Sequence, residues 1–485
     1  MKHHNRYIFS DTETTGVSER DFIQIIQSAS MLTDEKFETL EKINVSCAPL
    51  PWTVPTTGAY LTHKKIDTLQ SPVTHYQMMK SIHDQWRAWS EPDPAIFVTY
   101  NGHAFDEELY RKQFFWNLLD PFVTNTNGNG RSDLLILTRL ISQLLPDLID
   151  FEINQNGNPV CRLESVAGRL GLDTANAHDA LSDCIFMVEL LKFLNAEQPK
   201  LVCDYLMQAT KQGCAEFLAK TKVIGYRYQP FAKFWTYPVK FLGINPTNQN
   251  EAICVDLNYP IEDVIDLSYQ DIMSYLAKPN AESPFKIIRL NKSNGLADAN
   301  EFDFKFDCPL SELNSNAEEY DKNPEWIEKV LVANNDLDQK QWPKKEAIEQ
   351  TIYEKFFCNT DKNLFHQFHA AKSLEEKLSL CDSFLDPRAK EFGYRILFQE
   401  DASNLPKEVI ANNELLIKER WTSKGPWPCA ETYLNQAKKL KQERTSEAEQ
   451  KIIDLEDIEM LSVYSNSGGS MGMRAVSYTH LTLPT

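Results

Sequence analysis

Over its first ~195 residues the chain alternates short apolar runs with segments of helical period. That alternation commits the region to layered α/β packing. Tyr7-Ile8-Phe9 is a short apolar strand that ends at Asp11, and further strands are expected over 22–31 and 43–47. A helix is expected over 76–89, where Met79, Ile82, Trp86 and Trp89 recur at helical spacing. The run AIFVTY, 95–100, reads as a buried strand entering Asn101-Gly102. Helices over 107–118, 133–145, 163–170 and 180–194 complete the pattern.

Near Glu197-Gln198-Pro199-Lys200 the pattern changes. Residues 222–294 carry β-type runs (VIGYRYQPFAKFWTYPVKFLG, EAICVDL, FKIIRLN) separated by Asn, Pro and Gly turns. From 324 onward charge-rich helical segments dominate: WIEKVLVANN, KKEAIEQTIYEKFF, LEEKLSLCDSFL and the long run that starts at YLNQAKKLKQ. The end, 465–485, is abruptly poor in charge and aperiodic, as expected of a non-native or disordered tail. The expected division is an α/β domain over 1–196, a β-containing domain over 197–350, a helical domain over 351–464 and the tail.

Composition fits this reading. Of 485 residues, 42% are hydrophobic and 11% aromatic, which argues against a mainly disordered chain. No apolar run approaches the ~18 residues that span a bilayer, and no signal-type segment precedes the first strand, so a cytoplasmic protein is expected. The ten cysteines show no CxxC pairs or zinc spacing and read as reduced thiols. The net charge is −19. A surface that acidic disfavours indiscriminate polyanion binding, so a nucleic-acid partner would need local cationic and aromatic clusters or metal ions.

Four acids and one histidine carry the chemistry. Asp11 and Glu13 are two apart in an extended segment, so both side chains face one side and can converge on an ion. Asp106, in YNGHAFD, falls at the start of a helix, where an N-cap role would explain it equally well. In HDALSD, His178 lies five residues before Asp183 at the start of a helix. An acid on so apolar a helix is costly unless it meets a cation or hydrogen-bond donors. Together Asp11, Glu13, Asp106 and Asp183 make an oxygen-rich, cysteine-free set suited to Mg²⁺ or Mn²⁺. Two such ions can activate a water and stabilise the leaving oxygen of a phosphodiester. His178 is a natural general base for that water, because imidazole titrates near neutrality.

The ordered set DTETTG, YNGHAFDEE and HDALSD resembles the DEDD exonuclease superfamily, in the subgroup with His five residues before the last Asp. Arg131-Ser132-Asp133-Leu134-Leu135, Arg162-Leu163-Glu164, Gln198-Pro199-Lys200, Leu290-Asn291-Lys292 and Tyr353-Glu354-Lys355-Phe356-Phe357 extend the likeness to a branch specific for single-stranded DNA. The resemblance implies an RNase H-like exonuclease domain, an SH3-like β domain and a helical C-terminal domain. It implies 3′→5′ release of 5′-mononucleotides, two Mg²⁺ ions (Mn²⁺ as substitute) and a monomer. It also implies that the acidic C-terminal peptide of single-stranded DNA-binding protein docks on the chain. On this likeness Asp11, Glu13, Asp106 and Asp183 are metal ligands and His178 the base, while Glu13, Arg162, Arg111 and Lys292 contact DNA. One departure stands out: Thr15 occupies a position where the branch carries an aromatic.

Other cations have bland explanations beside functional ones. Phe114, Phe115 and Trp116 read mainly as core. Tyr226-Arg227-Tyr228, Lys233-Phe234-Trp235 and Lys240, and separately Arg388, Lys390, Tyr394 and Arg395, interleave rings and charges as a DNA channel would, but also as ordinary amphipathic surfaces do. Cys184 reads as packing. Two rivals remain: an RNA-trimming or proofreading exonuclease with the same motifs, and a non-catalytic single-strand clamp.

Overall fold

The computed structural model describes residues 4–18, 20–91, 93–229, 233–278, 282–337, 343–444 and 446–455; the expected tail, 465–485, lies outside them. Its centre is β1 (Tyr7–Thr14), which pairs antiparallel with β2 (Ile25–Thr33) and parallel with β4 (Ile96–Thr99). β3 (Thr39–Ser46) and β5 (Gly130–Asp133) flank these strands, giving the order β3-β2-β1-β4-β5.

Strand alternation separates two cores. On one face Ile8, Ile25, Leu32 and Phe97 pack with Met79, Ile82 and Trp86 of α2 (His75–Ser90). That face also takes Tyr110 and Phe114 of α3 (Asp106–Trp116). On the other, Phe9, Ala29 and Val98 meet Leu137 and Ile141 of α4 (Leu134–Leu144) and Cys184, Met187 and Leu191 of α6 (Ala180–Glu197). The helices α1 (Thr57–His63) and α5 (Leu163–Arg169) lie between these elements in sequence. A parallel β1–β4 pair needs a crossover, and α2 supplies it behind a Thr74/Gln77 capping box.

A second sheet follows α7 (Pro199–Met207) and α8 (Lys211–Lys220). Its strands are β6 (Ile224–Tyr228), β7 (Trp235–Ile244), β8 (Glu251–Asp256), β9 (Phe285–Arg289) and β10 (Gly295–Asp298). The order β10-β6-β7-β8-β9, antiparallel throughout, is that of an SH3-like domain. Short polar links tie it to the first sheet: Arg131 donates to the Asn291 carbonyl (2.7 Å), and the Asp133 N–H donates to the Ser293 hydroxyl (2.9 Å). A helical unit closes the chain, with Phe365, Phe368, Phe384 and Phe392 packed against Tyr76 of α2 and Phe115 of α3. No described helix is long and apolar enough to cross a membrane.

Three local expectations need correction. The first strand does not end at Asp11; it runs to Thr14, because Asp11 and Glu13 stay in register with Ala29 and Gln27 of β2. KKEAIEQTIYEKFF forms only a 3₁₀ turn, Ile348–Gln350. There tertiary contacts override helical period: buried Glu349 is fixed by Arg395 and Arg420, and Arg388 holds the Thr351 and Lys355 carbonyls. The long C-terminal helix stops at Glu443, where Arg444 turns extended.

Candidate active site

Asp11 and Glu13 point from β1 toward the face covered by α6, the face that already holds Phe9. Asp183, in the first turn of α6, meets them there, and carboxylate oxygens of Asp11, Glu13 and Asp183 all lie within 4.8 Å of one another. Asp106 stands beside this triplet and not within it, since α3 packs on the opposite face. Asp106 is no N-cap: it is the first residue of α3, behind Phe105, and its buried carboxylate accepts the hydroxyl proton of Thr12.

The electrostatics are those of a cluster short of positive charge. Burial, then the neighbouring Asp106, Asp183 and Glu13 charges, hold the Asp11 carboxyl well above the ordinary range. Burial and Asp183 push Glu13 to about 9, with Lys65 opposing. Burial lifts Asp106 to about 6 against the Thr12 hydrogen bond, and lifts Asp183 to about 6 against the pull of His178. Carboxyls raised together in one cleft are the charge arrangement that a bound cation would relieve. The all-oxygen donor set fits hard divalent ions, and the residues that would hold them are Asp11, Glu13, Asp183 and, alongside, Asp106.

His178 occupies the left-handed region (φ 67°), which bends the chain into α6. Its half-exposed ring lies 3.8 Å from Glu164 of α5 (Nε2 to Oε2). Arg162, at the N-terminal boundary of α5, is exposed and has no side-chain partner among the described residues. Lys292 is likewise exposed, on the loop that docks the second sheet. Arg111 is not free: it pairs with Glu107 (2.8 Å) and lies 3.5 Å from the Tyr353 hydroxyl. Arg388, Lys390 and Arg395 are all neutralised by acids, so that stripe is not a cationic track. Thr15 is fully buried and offers no stacking face. Cys184 is buried, with its thiol toward the Phe9 and Ala29 carbonyls.

Three participants escaped the sequence reading: Lys65, Gln27 and Thr12. Lys65 pairs with Asp179, the N-cap of α6, and its charge reaches Glu13. Gln27 donates to the same Asp179 (3.0 Å). Lys65 lies far from every motif, and only the fold brings it to them. Thr12 had a readable signal, since alternation turns it away from Asp11 and Glu13 toward the helix that starts with Asp106.

The fold recurs in known proteins. The chain overlays on Escherichia coli exonuclease I in complex with a dA16 oligonucleotide with a TM-score of 0.78, at 21% identity over 95% of this chain and 100% of that one. The chain has the exonuclease I fold. A zinc-bound form of the E. coli exonuclease I–single-stranded DNA complex aligns with a TM-score of 0.77 at 20% identity, over 95% and 100% of the two chains. In sequence, exodeoxyribonuclease I of Buchnera aphidicola (subsp. Schizaphis graminum) is 28% identical over 420 residues, 81% of this chain and 83% of that relative. No family model matches the chain. The alignment over 95% of this chain takes in both sheets and the helical unit described above.

Proposed function

We propose that the chain is an exodeoxyribonuclease that degrades single-stranded DNA 3′→5′ to 5′-mononucleotides, in DNA repair and recombination. The observation that carries this is the triplet of raised carboxyls, Asp11, Glu13 and Asp183, with Asp106 alongside, on the exonuclease I fold. Asp11, Glu13, Asp183 and Asp106 would hold two Mg²⁺ ions, with Mn²⁺ as substitute, which would supply an activated water and charge neutralisation at the leaving oxygen. The protein's own part is to converge four carboxylates, hold Asp106 by the Thr12 hydroxyl, and place His178 at the rim. His178 accepts the proton of the attacking water and releases it to solvent through its exposed edge. Arg162 offers an unpaired guanidinium to the phosphate near the 3′ end, with Glu13, Arg111 and Lys292 as further DNA contacts. The units 1–196, 197–350 and 351–464 act as one cytoplasmic monomer, and the second or third receives the acidic tail peptide of single-stranded DNA-binding protein.

His178→Ala is expected to slow turnover by ~10²–10⁴, the contribution of a general base. Unchanged rates would remove that role. Thr12→Val removes the donor to Asp106 and is expected to lower turnover about tenfold, the effect of one lost charge-assisted hydrogen bond. Single-turnover kinetics with saturating Mg²⁺ measure both.

A further inference from the structure

The backbone at His178 is strained. Its φ of 67° is costly for a residue with a β-carbon and persists only where neighbours impose it. On the N-terminal side Asp173, Ala175 and Asn176 are exposed. On the C-terminal side Asp179 is gripped from three directions. It caps α6 through the Ser182 N–H (3.2 Å), accepts from Gln27 of β2 (3.0 Å) and pairs with Lys65. The same turn brings the His178 backbone N–H to the Asp183 carboxylate. How firmly Asp179 is held therefore sets where the His178 ring can sit.

Lys65 lies 114 residues before its partner and stands on a rigid support. Its N–H donates to Nδ1 of His63 (3.0 Å), and its carbonyl accepts the Thr68 hydroxyl (2.6 Å). His63 ends α1 and is buried, its ring edge-on to that of Tyr60 at 4.8 Å. Tyr60 in turn packs with Ile26 of β2 and Val54. Against the effect of burial, Lys65 and Gln27 hold the Asp179 carboxyl below the ordinary range. Glu13 also feels the Lys65 charge, after those of Asp183 and Asp106. The direct contact is with Asp179.

We infer that Lys65 is a positioning residue for the reaction: by holding Asp179 it fixes the turn that aims His178 at the attacking water. This rests on the nuclease reading, with His178 as its base. The Lys65 and Asp179 side chains keep 23% and 26% of their surface in solvent, and a pair that wet adds little to folding. Its effect on the reaction is larger, because small misplacements of a reacting group are costly.

Single-turnover cleavage of a dT16 strand by the full chain at saturating Mg²⁺ tests this. The variants are Lys65→Met, Lys65→Arg and Asp179→Asn, each also combined with His178→Ala. Lys65→Met and Asp179→Asn are each expected to lower the rate constant by about tenfold to hundredfold, the upper figure being that of a 1 Å misplacement. Affinity for dT16 in EDTA and the melting temperature should change little. Lys65→Arg, which can remake the pair, should recover most of the rate. With His178→Ala none of the three should slow cleavage further, since a residue acting only through the base has nothing left to position. An unchanged rate in both Lys65→Met and Asp179→Asn overturns the inference. So does the same fold-loss with and without His178, which would place Lys65 on the metal ligands or the strand. A wild-type chain that leaves dT16 uncut removes the nuclease reading itself, and this inference with it.

Discussion

Asp183→Ala is expected to lower hydrolysis of single-stranded DNA by about three orders of magnitude or more while leaving binding of the strand in EDTA intact. The size follows from the charge stabilisation of several kcal/mol that metal coordination supplies in such reactions. Asp183 completes the triplet of oxygens within 4.8 Å and comes from a different element than its two partners, so no neighbour can take its place. Its loss removes a half-buried carboxyl already raised to about 6, and therefore relieves repulsion among the acids. The melting temperature of the metal-free protein should hold or rise. Turnover on a labelled strand, anisotropy binding and thermal denaturation together separate this outcome from simple misfolding. Retained turnover would contradict the site.

The second large effect couples stability, pH and metal. Burial and mutual repulsion raise Glu13 from 4.5 to about 9, and Asp106 and Asp183 from 3.8 to about 6. Each raised group is ionised in the unfolded chain at a pH where the folded chain still keeps its proton. The folded state thus binds more protons, and metal-free stability falls as pH rises. The two aspartates act between about 4 and 6, and Glu13 between about 4.5 and 9. A divalent ion favours the ionised carboxylates, so its stabilisation grows over the same window. Melting curves at pH 5 and pH 8, with EDTA and with Mg²⁺, should show a larger metal-induced rise at pH 8. An equal rise at both would mean that the acids are not the ligands.

The sequence was most informative where chemistry and local geometry coincide. The i, i+2 spacing of Asp11 and Glu13 put both on one strand face, and the sheet honours it. The apolar run of α6 placed Asp183 against that face, because a helix so rich in Leu, Val and Phe must lie on a sheet. Asp106 illustrates a partial success: its helix-start position was legible, and strand alternation turns Thr12 away from Asp11 and Glu13, but that the two meet is seen only once α3 lies on the far side of β1. Lys65 was invisible, since its pairing with Asp179 depends on how the segment after α1 folds back. The 344–357 segment failed for a related reason. Its helical period is real, but Glu349 is claimed by two arginines from distant helices, and those contacts outweigh weak intrinsic propensity. The cationic stripe at Arg388–Arg395 stayed open between a DNA channel and an ordinary amphipathic surface, because charge type is readable from sequence and charge pairing is not.

The central claim is best tested by digesting a 5′-labelled single-stranded DNA oligonucleotide with Mg²⁺, beside EDTA, duplex DNA and RNA of the same sequence. The account predicts a ladder that shortens from the 3′ end on single-stranded DNA alone, and only with metal. Trimming of the RNA in place of the DNA, or binding of the strand with no cleavage at all, would contradict it.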